Sequence, residues 1–160
     1  MKIRTLLTAI AILFSQAAWP DDFEDGVAAY NRQDYTTALA KFQRAAEQGI
    51  SDAQYNLGVM YERGRGIAQD DKQAVRWYTL AAQQGFVEAQ YNLGLMYGFG
   101  RGVLQDHIRA HMWFNIAAGS GEKDSVKNIN IAERKMTPQE IAEAQRMARE
   151  CINSNFKKCD

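Results

Sequence analysis

The chain has 160 residues, 46% of them hydrophobic and 24% charged, with 19 Lys and Arg against 19 Asp and Glu, an ordinary composition for one folded domain. Zero formal charge and a pI near 6.7 leave no basic stripe to neutralise phosphates, which argues against nucleic acid as the main partner. Only 2 Pro, 12 Gly and no alternating β-branched runs argue against collagen-like, disordered and all-β chains and leave helices.

Residues 1–17 read as a secretory signal peptide. Lys2 and Arg4 precede an apolar run from Leu6 to Phe14, too short to span a bilayer, and Ser15-Gln16-Ala17 places small residues at the two cleavage-determining positions. An uncleaved anchor is the alternative, against which stand Thr8 inside the run and Gln16, Pro20, Asp21 and Asp22 directly after it. With no Cys beside the cleavage site, a lipid anchor is disfavoured. Loss of Lys2 and Arg4 leaves 17 basic residues against 19 acidic ones. The expected protein is secreted or periplasmic, without stable membrane insertion.

A short helical hairpin is expected over residues 24–50. Gly26, Ala29 and Tyr30 mark its first helix, and Asp34, Ala38, Phe42, Ala45, Ala46 and Gly49 its second. Next comes an internal repeat. Shifting Ser51–Phe86 by 36 positions lays it on Val87–Glu122 without a gap, with 18 of 36 positions identical, and a period of that size means a stacked array. Within each unit, Ala53, Leu57, Met60 and Tyr61 lie on one face of a first helix, and Ala74, Trp77, Tyr78, Ala81 and Ala82 on one face of a second. The second half of this pattern recurs 36 positions upstream, in the hairpin of residues 24–50.

Local signals set the ends of these helices. Ser51 with Gln54 reads as a capping box and Asp70 with Gln73 as another. Gly85 and Gly121 stand where a left-handed residue closes the second helix. Gly64-x-Gly66 and Gly100-x-Gly102 turn the chain after the first. Gly58 and Gly94, inside a helix at about 1 kcal/mol relative to Ala, are expected to let a neighbouring backbone come close. Over residues 123–152, Val126 and Ile129 mark one helix. Thr137-Pro138-Gln139-Glu140 starts another with the stripe Ile141, Ala144, Ala148 and Cys151, a C-terminal capping helix. Residues 153–160 form a tail. In an oxidising compartment Cys151 and Cys159 favour a disulfide pinning this tail; two free thiols are the alternative.

The run Ala-Gln-Tyr-Asn-Leu-Gly-x-Met-Tyr, then Gly-Arg-Gly, then Asp, Ala, Trp, Ala-Ala and Gly resembles the Sel1-like repeat, a cousin of the tetratricopeptide repeat. Two units, 51–86 and 87–122, match over their whole length, residues 24–50 look like a degenerate first unit, and coverage is roughly 24–152. The resemblance implies an all-α fold: a short right-handed solenoid of antiparallel helix hairpins whose first helices line a concave surface. It also implies that Arg134–Glu150 is the C-terminal helix of many bacterial secreted members.

Chemistry is sparse in this sequence. His107 and His111 have the spacing of two metal ligands on one helical face, but they replace Asp71 and Val75 in the internal alignment and read as packing or surface residues. No nucleophile or phosphate-loop motif occurs, and the Gly-Arg-Gly turns read as structural. No catalytic residue, cofactor or metal is therefore expected. The candidate binding residues face away from the core stripe of the first helices: Tyr55, Asn56, Val59, Glu62 and Arg63 in one unit, Tyr91, Asn92, Leu95 and Phe99 in the next. The resemblance implies a side-chain amide holding a peptide backbone, and the alternative is that the Tyr-Asn pairs pack between repeats. Phe99, with Leu95 and Val59, is the expected anchor, and Glu62 a rim charge. The expected function is a monomeric scaffold binding a protein or peptide. The alternative implied by cysteine-rich relatives is a β-lactam-binding or β-lactamase-like enzyme, from which this chain departs by carrying one cysteine pair outside the matched repeats.

Overall fold

A computed structural model describes residues 21–159. The proposed signal peptide lies outside the described residues. Among those described there are eight helices and no strand: α1 Asp21–Asn31, α2 Tyr35–Glu47, α3 Ser51–Arg63, α4 Asp71–Ala82, α5 Val87–Phe99, α6 His107–Gly119, α7 Asp124–Glu133 and α8 Pro138–Asn153. Each helix from α1 to α7 packs on its neighbours in sequence, which builds a solenoid of hairpins α1–α2, α3–α4 and α5–α6.

The glycines inside the first helices face rings. A Cβ on Gly58 would lie 2.6 Å from the Tyr78 ring, one on Gly94 2.5 Å from Phe114, and one on Gly26 2.7 Å from Phe42. Phe42, Tyr78 and Phe114 are spaced 36 apart, so every hairpin closes by laying an aromatic side chain of its second helix over a bare glycine of its first. The expectation of a close backbone is corrected at Gly58 and Gly94 and holds instead at the turns. A Cβ on Gly66 would sit 2.7 Å from the Tyr35 carbonyl, and Gly102 lies nearer still to that of Asp71. Each turn thus rests on the second helix of the preceding hairpin, and its left-handed φ of 72° or 69° adds a second reason for glycine.

The turn arginines tie the hairpins together. Arg101 donates to Glu62 at 2.9 Å and to Asp71 at 3.0 Å, and the Asp71 carboxylate, followed by Glu62, holds its guanidinium in the charged form. One unit earlier Arg65 lies over the rings of Tyr30 and Tyr35, 5.4 and 5.7 Å from their centroids, and donates to the Tyr30 hydroxyl. Cation–π contact there replaces the ion pairs.

The capping box at Ser51 is corrected. The N-cap of α3 is Ile50, without a side-chain cap, and Gln54 is buried, its Nε2 donating 3.2 Å to the Ala46 carbonyl. Gln90 does the same to Ala82 at 3.2 Å. The repeated Ala-Gln pair therefore latches each unit to the last turn of the helix before it, satisfying a carbonyl that a helix end leaves free. Gln84 completes the first latch by donating 2.7 Å to Gln54 Oε1. Its equivalent 36 residues on is Ser120, too short to reach, and among the described residues nothing donates to Gln90 Oε1. Ser120→Gln should restore the bond and stabilise the protein by about 0.5–1.5 kcal/mol, read as a higher melting temperature; an unchanged melt would place the vacant acceptor out of reach of a glutamine there.

Asp70 caps α4 through the amides of Lys72 and Gln73 at 2.9 and 3.1 Å, and Thr137 with Glu140 forms a complete capping box at α8. Gly85 and Gly121 are left-handed as expected, at φ 85° and 100°. Past the two full units, α7 repeats the first-helix register: Asn128 stands 36 residues after Asn92 and Ser125 36 after Ala89. α8 does not complete a fourth hairpin with it. It packs on α6 instead, burying Ala144, Ala148 and Cys151, the last two in the core cluster that holds Met112, Trp113 and Ile116. The Cys151–Cys159 disulfide is present and fastens the tail, with the Phe156 ring seated 3.2 Å from where a Gly85 Cβ would be.

Candidate functional site

The residues singled out in the sequence divide into three groups. The first is spent on joining repeats. The Tyr55 ring stacks on Phe86, centroids 5.0 Å apart, and approaches Tyr78 at 5.8 Å; burial pushes its phenol pKa up, and the nearby Asn92 side chain of the next unit acts against that rise. One unit on, Asn128 of α7 donates 3.1 Å to the Tyr91 hydroxyl. The tyrosine of each unit thus has the asparagine of the next beside it, bonded to it at Tyr91. Asn56 donates at 2.7 Å to the Asp52 carbonyl of its own helix. The amides expected to hold a peptide backbone have these internal partners, and the between-repeat alternative describes Tyr55, Tyr91 and Asn92.

The second group is a correction. Val59 is 8% exposed and belongs to the core cluster that it shares with residues of α4, α5 and α6. Glu62 is not a rim charge: it accepts 2.6 Å from the fully buried Tyr78 hydroxyl and 2.9 Å from Arg101. Burial first, then the Glu62 carboxylate, pushes the Tyr78 phenol far above its ordinary value. Glu62→Ala leaves that hydroxyl and one arm of Arg101 without their acceptor. It should cost about 1–3 kcal/mol of stability, read as a lower melting temperature in thermal denaturation; a melt equal to wild type would return Glu62 to the surface.

Arg63, Leu95 and Phe99 remain. Phe99 is 71% exposed at the end of α5 and, with Leu95, borders a pocket of about 50 Å³. Its wall is α5, its floor Ala110 and Phe114 of α6, and its far side Asn128, Ile131 and Ala132 of α7, with His107 and Lys135 on the rim. One water needs about 10–15 Å³ of such space, so the pocket accepts the end of one apolar side chain. No residue of α7 had been singled out as a site, although a signal was there: Ile131 stands 36 after Leu95, and Lys135 36 after Phe99. Extending the register past Glu122 places them.

His107 and His111 do not form a metal pair. His111 is fully buried, with Nε2 3.0 Å from Glu133 Oε1 and Nδ1 2.7 Å from Asn115 Nδ2; an amide donating to Nδ1 leaves the ring proton on Nε2, facing the carboxylate. It joins α6 to α7. Among the described residues no group of three or more His, Cys, Asp or Glu could hold a metal ion, and no helix is long and apolar enough to cross a membrane. Both cysteines are spent in the disulfide. The hydroxyls of Ser51, Ser120 and Ser154 bond to local acceptors and that of Ser125 is fully buried, out of reach of a substrate, so among the described residues no serine is set up for β-lactam hydrolysis.

The Sel1 repeat family matches at residues 28–50, 51–86 and 87–122. Among solved structures, c5321, described as a protective antigen present in uropathogenic Escherichia coli strains displaying an SLR fold, is similar with a TM-score of 0.78 and 29% identity. The match covers 84% of this chain and 31% of that one. A Sel1 repeat protein from Oxalobacter formigenes is similar with a TM-score of 0.63 and 35% identity over 68% of this chain and 85% of its own. DAP3-binding cell death enhancer 1 of Rattus norvegicus is 53% identical over 42 residues, and that of Mus musculus 50%; the chain spans 8% of the length of each.

Proposed function

Since the chain belongs to the Sel1 repeat family and its repeats form a helical scaffold, we propose that it captures a peptide segment of another protein in the α5–α7 pocket, working as a secreted or periplasmic bacterial protein. One observation carries the binding reading: Phe99, a large aromatic residue 71% exposed, stands beside an apolar pocket at a position that the preceding unit fills with Arg63. An exposed aromatic side chain contributes to the stability of the free chain only through the few contacts it makes there, while covering it in a complex removes its apolar surface from water. Its role is therefore sought in contacts with another molecule.

Phe99→Ala should weaken partner binding by about 2 kcal/mol, roughly thirtyfold, while the melting temperature stays within a degree or two of wild type. Photocrosslinking tests the location. A benzophenone side chain at position 95 should crosslink a discrete partner in the envelope fraction, and one at Ala40, exposed on α2, should not. If Phe99→Ala melts the protein and leaves recovery of the partner intact, the pocket is not the binding site.

Export rests on Lys2, Arg4, the apolar run Leu6–Phe14 and Ser15-Gln16-Ala17. Amino-terminal sequencing of protein from the periplasm or medium should begin at Ala18. A chain that stays in the cytoplasm with Met1 intact would remove this part of the reading.

A further inference from the structure

We propose that the partner segment is acidic on both sides of its apolar anchor: a bulky side chain enters the α5–α7 pocket, and carboxylates flank it at about three residues' distance in an extended chain. This rests on the binding reading above and adds the chemistry of the ligand. Arg63 and Phe99 are the last residues of α3 and α5, and Lys135, in the same 36-residue register, stands in the turn two positions after α7. All three are exposed, and neither cation forms an ion pair among the described residues. Phe99 and Lys135 border the same pocket, and the repeat register sets Arg63 one unit before Phe99. The pocket under Phe99 carries Lys135 and His107 on its rim and no carboxylate.

Packed helices lie on the order of 10 Å apart, and an extended chain advances about 3.3–3.6 Å per residue, which sets the three-residue spacing. Basic residues at helix C-termini suit the helix dipole, and that alone would account for Arg63. It does not account for Phe99 standing exposed in the same register. The opposite edge of the same helices carries Asp52, Glu88 and Asp124, again 36 apart, so a polyanion such as nucleic acid laid across the face meets repulsion there. Carboxylates confined to one edge do not.

The test uses the purified protein against a phage-displayed library of random dodecapeptides. Selected sequences should share Phe, Leu or Trp with Asp or Glu about three positions to either side. A selected peptide, followed by fluorescence polarisation, should bind about tenfold more weakly to Lys135→Glu at low salt, and high salt should weaken binding to wild type and narrow that difference. Selection against Lys135→Glu should replace one flanking acid by Lys or Arg; the exposed position leaves folding unaffected, checked by circular dichroism. Enrichment of apolar residues without a charge preference overturns this inference and leaves the pocket reading standing. Enrichment of basic residues, or of nothing, overturns it as well. If the selected peptides bind Phe99→Ala as well as wild type, the pocket reading falls with it.

Discussion

Gly94→Leu should lower the melting temperature by about 6–12 °C. The Cβ alone would lie 2.5, 2.6 and 2.9 Å from atoms of the Phe114 ring, and that ring is 3% exposed. A flexible surface side chain would swing aside, but a buried ring cannot without displacing its own neighbours. Overpacking of this kind costs about 1–3 kcal/mol, and a leucine branching into the same space belongs at the upper end. In a chain of this size each kcal/mol moves the melt by about 2–4 °C. Gly98→Ala is the internal control. Its Cβ would meet only the Ala110 Cβ at 3.6 Å, an ordinary contact, and helix propensity favours alanine by about 1 kcal/mol, so that variant should melt at or above wild type. Phe114→Ala placed in the Gly94→Leu background should recover part of the loss. A Gly94→Leu melt equal to wild type would contradict the ring-over-glycine packing.

Reduction of the Cys151–Cys159 bond should cost about 2–3 kcal/mol, the expectation for a short closed loop, and free the tail. Both half-cystines are buried, at 0% and 5% exposure, and between them Asn155 and Phe156 hold left-handed φ values of 54° and 61°. Such a conformation costs about 1–2 kcal/mol per residue without a glycine. The cross-link helps sustain it while Phe156 stays on Gly85. In dithiothreitol the melt should fall by about 5–10 °C, and trypsin should cut faster at Lys157 and Lys158. Protein from an oxidising compartment, denatured before a thiol assay, should show no free thiol. Two free thiols, or an unchanged melt on reduction, would detach the tail from the stability of the core.

The sequence alone determined the fold class, the 36-residue repeat register, the left-handed closing glycines and the α8 capping box; it favoured the Cys151–Cys159 disulfide but left two free thiols open. These are legible because they are local or periodic. A helix face repeats by itself, a cap lies within three residues, and an ungapped 36-residue shift exposes what a stack must share. Identity between units marks a position as shared but does not say what it touches. The spacing of Gln54 from Ser51 is that of a capping partner, yet its partner is Ala46 in the preceding helix, and the outward register of Glu62 is that of a surface charge, yet Arg101, 39 residues away, donates to it.

Tertiary structure alone decided which outward residues stay free. Val59, Leu95 and Ile131 share one register. Yet Val59 is 8% exposed, Leu95 partly covered and Ile131 38% exposed, because α3 and α5 are each followed by a helix pair that packs on in the stack, whereas α8 packs on α6 and no further pair follows α7 among the described residues. The pocket exists for the same reason: α8 packs on α6 rather than continuing the stack over α7. Whether a side chain faces water depends on the helix that arrives beside it, and that helix is set by long-range packing, which a periodic pattern within one unit does not encode.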